Sequence, residues 1–165
     1  MKTKIKGNEI NLSGNLPEIG TQLPDIALVS GELAEINLQM FGGSALVLNI
    51  FPSVDTGTCA ASVRRFNTEA SNLPNHKVLC ISGDLPFAQQ RFCGAEGLDK
   101  VTTLSAYRAS FGEDYGVKMV DGPLQGLLAR CVVVADAGHK VVYTQLVDEV
   151  TEEPNYEAVL AAINA

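Results

Sequence analysis

An α/β fold is predicted by three features of the chain. From Ala45 onward, segments with strand and helix periodicity alternate: an apolar run over 45–51, helical spacing over 58–72, a second apolar run over 77–82, and a helix beginning near Asp84. Two further strands, 130–136 and 141–147, flank the turn Ala137-Gly138-His139-Lys140 and read as a hairpin. Pro154 opens a last helix, with Tyr156, Val159, Leu160 and Ile163 on its apolar face.

The elements follow in order. Residues 3–12 alternate weakly around Lys6-Gly7-Asn8-Glu9 and predict an N-terminal β-hairpin extension. Residues 13–25 carry Gly14, Pro17, Gly20 and Pro24 and read as loop. Ile26 to Val29 is a short strand, and Glu35 to Phe41 has no decisive pattern. The run from Ala45 to Phe51 is a buried strand, after which Pro52 and Gly57 punctuate a loop. Ala60, Val63, Phe66, Ala70 and Leu73 then recur at helical spacing. Lys77 to Ser82 is the next strand, and Pro86 falls in the first turn of the helix after it. Residues 99–125 are irregular and Gly-rich, with one short helix expected around Tyr107. Strand, helix, strand, helix, hairpin and helix, with a cysteine at the start of the first helix, predict a thioredoxin-like fold in a single domain spanning 1–165.

Composition narrows the function. The 165 residues are 46% hydrophobic and 19% charged, as expected for an ordered globular chain. A formal net charge of −7 disfavours nucleic acid and anionic membrane surfaces as partners. No apolar run approaches the roughly 20 residues of a membrane helix. The basic start, Met1-Lys2-Thr3-Lys4-Ile5-Lys6, lacks the apolar segment of a signal peptide. The expected location is the cytoplasm, where thiols stay mostly reduced. Four cysteines in that setting suggest redox or metal chemistry before structural disulfides. No Cys-x-x-Cys pair is present, and Ser62 stands where a thiol–disulfide oxidoreductase would have its second cysteine. The same lack of paired cysteines argues against zinc.

Cys59 carries the strongest chemical signal, because it sits where a loop becomes a helix. Unpaired amides and the positive end of the helix dipole favour a thiolate there. Arg64 and Arg65 follow on the same helix.

The residues around it resemble a known family. Pro52-x-x-x-Thr56-x-x-Cys59 matches the active-site motif of the peroxiredoxins. Three longer strings, Asn49 to Ser62, Cys80 to Leu98 and Gln145 to Val150, are similar to the bacterial thiol peroxidases, the atypical two-cysteine peroxiredoxins. The resemblance implies a peroxidase acting on hydrogen peroxide and organic hydroperoxides, without metal or organic cofactor. It implies Cys59 as the peroxidatic nucleophile and Thr56 as a hydroxyl able to bond sulfur and peroxide. Pro52 would stiffen and shield the loop, and Arg130 would hold the thiolate and polarise the peroxide. Cys93 would resolve the sulfenic acid as an intramolecular Cys59–Cys93 disulfide, after local unfolding if the two lie on separate helices. Thioredoxin would reduce that disulfide, and a homodimer is the family's common assembly. An alternative with the same chemistry is a peroxide sensor or thiol–disulfide relay that passes oxidation to a partner protein.

The remaining candidates read as structural. Cys80 lies in an apolar strand. Cys131 departs from the small apolar residue usual after the family's arginine, and on a strand it should face away from Arg130. His76 and His139 fall in expected turns. Asp148, Glu149, Glu152 and Glu153 read as a solvated acidic face, and Phe51, Phe87, Phe92 and Tyr107 as core or rim.

Overall fold

A computed structural model describes residues 1–165. The chain opens with an antiparallel hairpin, β1 (Lys2–Ile5) and β2 (Asn8–Asn11). Its two-residue turn, Lys6-Gly7, has φ of 50° and 81°. Positive φ at both turn residues matches the right-handed twist of the flanking strands. Thr3 and Ile10 are paired partners and both point inward.

The rest is built on a seven-stranded sheet. Its strands are β3 (Leu28–Val29), β4 (Glu35–Ile36), β5 (Ala45–Ile50), β6 (His76–Ser82), β7 (Thr102–Ser105), β8 (Cys131–Ala135) and β9 (Val141–Leu146), in the order β4-β3-β7-β6-β5-β8-β9. β5, β6 and β7 run parallel, and β8 is antiparallel to β5. Ile50 at the end of β5 therefore pairs with Ile81 near the end of β6 and with Cys131 at the start of β8. That register brings the loop after β5 and the residue before β8 to the same edge of the sheet.

Period-two alternation assigns side chains to two cores. Leu46, Leu48, Ile50, Leu79, Ile81, Cys131 and Val133 face one way, against Leu28, Leu38, Phe111, Tyr115 and Val117. Val47, Val78, Cys80, Val132 and Val134 face the other way, against α1 (Gly57–Ala70) and α4 (Tyr156–Ile163) through Cys59, Val63, Phe66 and Val159. The helix α2 (Pro86–Glu96) joins this second side through Phe92 but buries only Pro86 and Gln89. Its hold on the sheet is correspondingly light. Pro86 takes the first helical position, and Gly97 at φ 66° closes the helix by directing its N–H to the Cys93 carbonyl. No helix is long and apolar enough to cross a membrane.

Several local expectations are corrected. The segment 99–125 contains β7, an internal strand between β3 and β6. Its residues, Thr102-Thr103-Leu104-Ser105, include one apolar side chain, so no hydrophobic run announces it. The short helix lies at Phe111–Asp114 (α3), while Tyr107 is an exposed turn residue. Glu35 to Phe41 resolves into β4 and a 3₁₀ turn over Leu38–Phe41, and the strand expected over 26–29 shortens to Leu28–Val29. Pro154 does not open the last helix: Asn155 caps it, its side chain accepting from the Ala158 N–H at 3.0 Å.

Candidate active site

The loop after β5 is shaped by its own hydroxyls and one carboxylate. Ser53 Oγ donates to Asp84 Oδ1 at 2.7 Å, and the Val54 N–H donates to Asp84 Oδ2 at 2.9 Å. Ser82 Oγ donates to the same Oδ2 at 2.6 Å. Asp84 thus ties the loop to the start of α2. Thr56 then caps α1, with Oγ1 accepting from the Cys59 N–H at 3.3 Å and donating to Ser53 O at 3.2 Å. Its single hydroxyl proton is committed to that carbonyl, and it makes no bond to the Cys59 sulfur. Sequence reasoning saw Thr56 as a donor to sulfur; here it is first the residue that starts the helix.

Cys59 is fully buried in the first turn of α1, and Pro52, also buried, lies in the loop that leads to it. Arg130 Nη2 donates to Cys59 Sγ at 3.1 Å, across 71 residues of sequence. Arg130 is 1% exposed, the largest buried side chain of the chain. Its Nε donates to the Val150 carbonyl at 2.8 Å, while Nη1 is buried without a partner. No carboxylate pairs with it: its polar neighbours are one carbonyl and one sulfur. A buried guanidinium without a counter-ion is strongly unfavourable. The Cys59 sulfur is the one bonded group able to become an anion, and the guanidinium is aimed at it.

Cys93 is brought to neither the sulfur nor the arginine. It is half-buried on α2 and lines a separate cleft of about 250 Å³ with Ser30, Gln90, Val101, Thr102 and Thr103. Burial pushes its thiol up, with a smaller opposing pull from the Thr103 side chain. An exposed ion pair links the helices that carry Cys59 and Cys93, Arg64 with Glu96 at 2.9 Å, and a second ties α2 to the loop before α1, Arg91 with Asp55 at 3.4 Å. Such pairs contribute little and yield readily. All four cysteines are free thiols.

Cys80 and Cys131 are fully buried on opposite faces of the sheet. Burial pushes the Cys80 thiol up to about 12, partly countered by the Asn49 Nδ2 donor at 3.7 Å. Cys131 faces the other core, away from Arg130's contact with Cys59, and burial raises it further still. Thiols held in that form are inert. Replacing both with Ala is expected to leave peroxidase turnover nearly unchanged while costing on the order of 1 kcal/mol each in stability. Steady-state kinetics and thermal unfolding check this; a tenfold loss of turnover in a folded Cys131→Ala variant would bring Cys131 into the redox cycle.

The histidines stay away from the site: His76 Nδ1 lies 2.9 Å from Pro74 O, and His139 Nε2 lies 3.3 Å from Phe41 O. The acidic cluster is not merely solvated. Glu149 accepts from the Lys6 and Gly7 amides at 2.9 and 3.0 Å, and Asp148 pairs with Lys4 at 3.0 Å. Phe51 is core, whereas Phe87 and Tyr107 are exposed. Asp84 and the Val150 carbonyl are the participants that sequence reasoning missed. An acid in the string Ser82-Gly83-Asp84 just before a helix was a signal for the first; a backbone carbonyl has none.

A thioredoxin-like sheet with a buried thiol at a helix start, held by a guanidinium, is the frame of a thiol-based oxidoreductase. The profile of the Redoxin family matches residues 18–160. A thiol peroxidase of Corynebacterium glutamicum is 57% identical over 163 residues, covering 99% of each chain. A thiol peroxidase of Mycobacterium tuberculosis is 54% identical over 161 residues, covering 98% of this chain and 97% of that one. The crystal structure of a peroxiredoxin-like protein from Aquifex aeolicus superimposes with a TM-score of 0.93 at 36% identity, covering 99% of this chain and 95% of that one. The chain belongs to the redoxin family and, within it, to the thiol peroxidases, enzymes that reduce peroxides with a thiol.

Proposed function

We propose that the chain reduces hydrogen peroxide and organic hydroperoxides through Cys59, with Cys93 as the resolving thiol and thioredoxin as the external reductant. The Cys59 thiolate attacks the terminal peroxide oxygen, the O–O bond breaks, and its electron pair leaves on the other oxygen, which takes up a proton as water or alcohol. Negative charge moves from sulfur along the S–O–O axis. Donors held in place along that axis stabilise the transition state more than the ground state. The observation that carries this reading is Arg130, with Nη2 on the sulfur and a buried, unpartnered Nη1 beside it. Nη1 is the donor left for a peroxide oxygen. Thr56 joins by turning its hydroxyl from Ser53 O towards the substrate, and Pro52 shields the sulfur without adding an N–H.

The Cys59 sulfenic acid then condenses with Cys93, releasing water and forming the intramolecular disulfide. Opening of α2 relieves the burial that holds Cys93 protonated, so one motion both delivers and activates it. Thioredoxin's dithiol reduces the disulfide by exchange. The whole 1–165 chain acts as one unit in the cytoplasm, as a homodimer.

In a coupled assay, NADPH, thioredoxin reductase and thioredoxin are expected to sustain many turnovers with peroxide. Peptide maps of peroxide-treated protein should show Cys59 joined to Cys93 within one chain. Oxidation that stops at one equivalent would indicate a peroxide sensor instead. A main bridge from Cys59 to Cys80 or Cys131 would overturn the resolving role of Cys93.

A further inference from the structure

The N-terminal hairpin lies outside the seven-stranded sheet, yet it is joined to Arg130 by an unbroken line of hydrogen bonds. Its first strand and its turn grip residues 147–151, while Asn11 of its second strand bonds Val120 and Asp121. The Lys4 N–H donates to Asp148 O and the Val150 N–H donates to Lys4 O, both at 2.8 Å, a short parallel bridge centred on Glu149. Thr3 is 1% exposed, and its hydroxyl lies 3.0 Å from Val147 O and 3.1 Å from Asp148 O. The hairpin turn presents two successive amides, of Lys6 and Gly7, one to each Glu149 carboxylate oxygen. These backbone donors, that of Gly7 foremost, hold the Glu149 carboxyl below its ordinary range. Ile10 and Leu12 of the hairpin side pack with Val150, Met119 and Ala129.

On its other side the same segment touches the active site three times. The Val147 N–H donates to Arg130 O at 3.0 Å, and Val150 O accepts from Arg130 Nε at 2.8 Å. Thr151 O accepts from Thr58 Oγ1, next to Cys59, at 3.0 Å. Residues 147–151 lie between the end of β9 and the start of α4, beyond the β8–β9 ladder, and their outer backbone partners come from β1.

From this we infer that the hairpin is a brace for the thiol-activating arginine, with Thr3 and Glu149 as positioning residues. A long, buried guanidinium with two polar partners is aimed by whichever of them is fixed. The sulfur is the reacting atom, so the fixed one is Val150 O. A carbonyl that drifts by a fraction of an ångström turns the guanidinium plane off both sulfur and peroxide, and small misplacements of this kind are costly in rate. The inference rests on the Arg130–Cys59 reading above and adds to it a part of the chain that touches no reacting atom.

The test is Thr3→Val, which removes the buried hydroxyl with little change of shape, beside Thr3→Ser, which keeps it. Thr3→Val is expected to slow sulfenic acid formation on Cys59 about fivefold and to move iodoacetamide alkylation of Cys59 to higher pH, through loss of a positioning contact. Closure of the Cys59–Cys93 disulfide should be unchanged, since no hydrogen bond or ion pair joins the hairpin to α2, and Thr3→Ser should recover the wild-type alkylation profile. In an Arg130→Met background, Thr3→Val should add nothing further, because both changes act through one contact. Glu149→Gln is a surface variant that keeps the fold if Thr3→Val does not; it turns an amide nitrogen towards a turn N–H and should act in the same direction, by about threefold. Wild-type sulfenylation in a folded Thr3→Val or Glu149→Gln variant, or effects that multiply with Arg130→Met, would overturn the brace. If Arg130→Met itself left alkylation unchanged, the reading of the site would fall, and the brace with it.

Discussion

Cys59→Ser is expected to bring hydroperoxide consumption down to the rate of the protein-free reaction. A serine hydroxyl in the same place is not an anion at neutral pH and is a far weaker nucleophile towards an O–O bond than a thiolate. The loss should be chemical and not architectural. Helix α1 is capped through the Cys59 backbone N–H, which serine retains. The variant nevertheless leaves the Arg130 guanidinium buried with no neighbour able to carry negative charge. The serine hydroxyl still accepts from Arg130 but stays neutral, so a fall in stability of about 1 kcal/mol should accompany it, the difference between a charge-assisted and a neutral acceptor. Peroxide consumption and thermal unfolding of the same preparation give both numbers. Substantial turnover in the serine variant would mean that another thiol attacks the peroxide.

Arg130→Met is expected to slow sulfenic acid formation by about 10²–10³-fold, the range seen when one preorganised donor to a developing oxyanion is removed. Methionine is unbranched and fills much of the same space, so the reaction loses a charge and two aimed N–H donors, not a wall of the core. Stability moves in two directions: Val150 O loses its donor, while a buried charge with no carboxylate partner disappears. The net change should therefore be small beside the kinetic effect. Alkylation of Cys59 should shift to higher pH in the same variant, because a neighbouring positive charge no longer favours the thiolate. Stopped-flow oxidation and a pH series of alkylation rates check both, and an unshifted series would place Arg130 outside the chemistry.

Much of the scaffold was legible because its central strands are continuous apolar runs. Residues 45–51, 77–82 and 130–136 announce themselves in that way, and Cys59 marks the point where period-two patterning gives way to helical spacing. β7 could not be read, since Thr102, Thr103 and Ser105 owe their strand conformation to pairing with Leu79, Cys80 and Ser82 and not to their own hydrophobicity. The site divides along the same line. A cysteine at a helix start is local information. That Arg130 meets it depends on Ile50 pairing with Cys131, a register no single segment encodes, so only family resemblance pointed to it. Thr56 was identified by type but its present bond was not, because a hydroxyl three residues before a helical N–H can cap as readily as it can activate. Asp84 and Val150 act through a tether and a carbonyl, and neither has a residue-type signature of its own.

The absence of any carboxylate beside Arg130 makes the oxidation state of one sulfur decide whether a buried cation is neutralised. In the mechanism proposed above, a thiolate 3.1 Å from Arg130 Nη2 would be the counter-ion of the guanidinium. Conversion of that sulfur to a sulfenic acid or a disulfide removes the negative charge and leaves the cation desolvated and alone. On that proposal the reduced protein is the electrostatically better matched form, and the oxidised protein carries an uncompensated buried cation. A dithiol that returns electrons to it is assisted by the restoration of the ion pair, and every 1.4 kcal/mol or so of that preference raises the two-electron midpoint potential by about 30 mV.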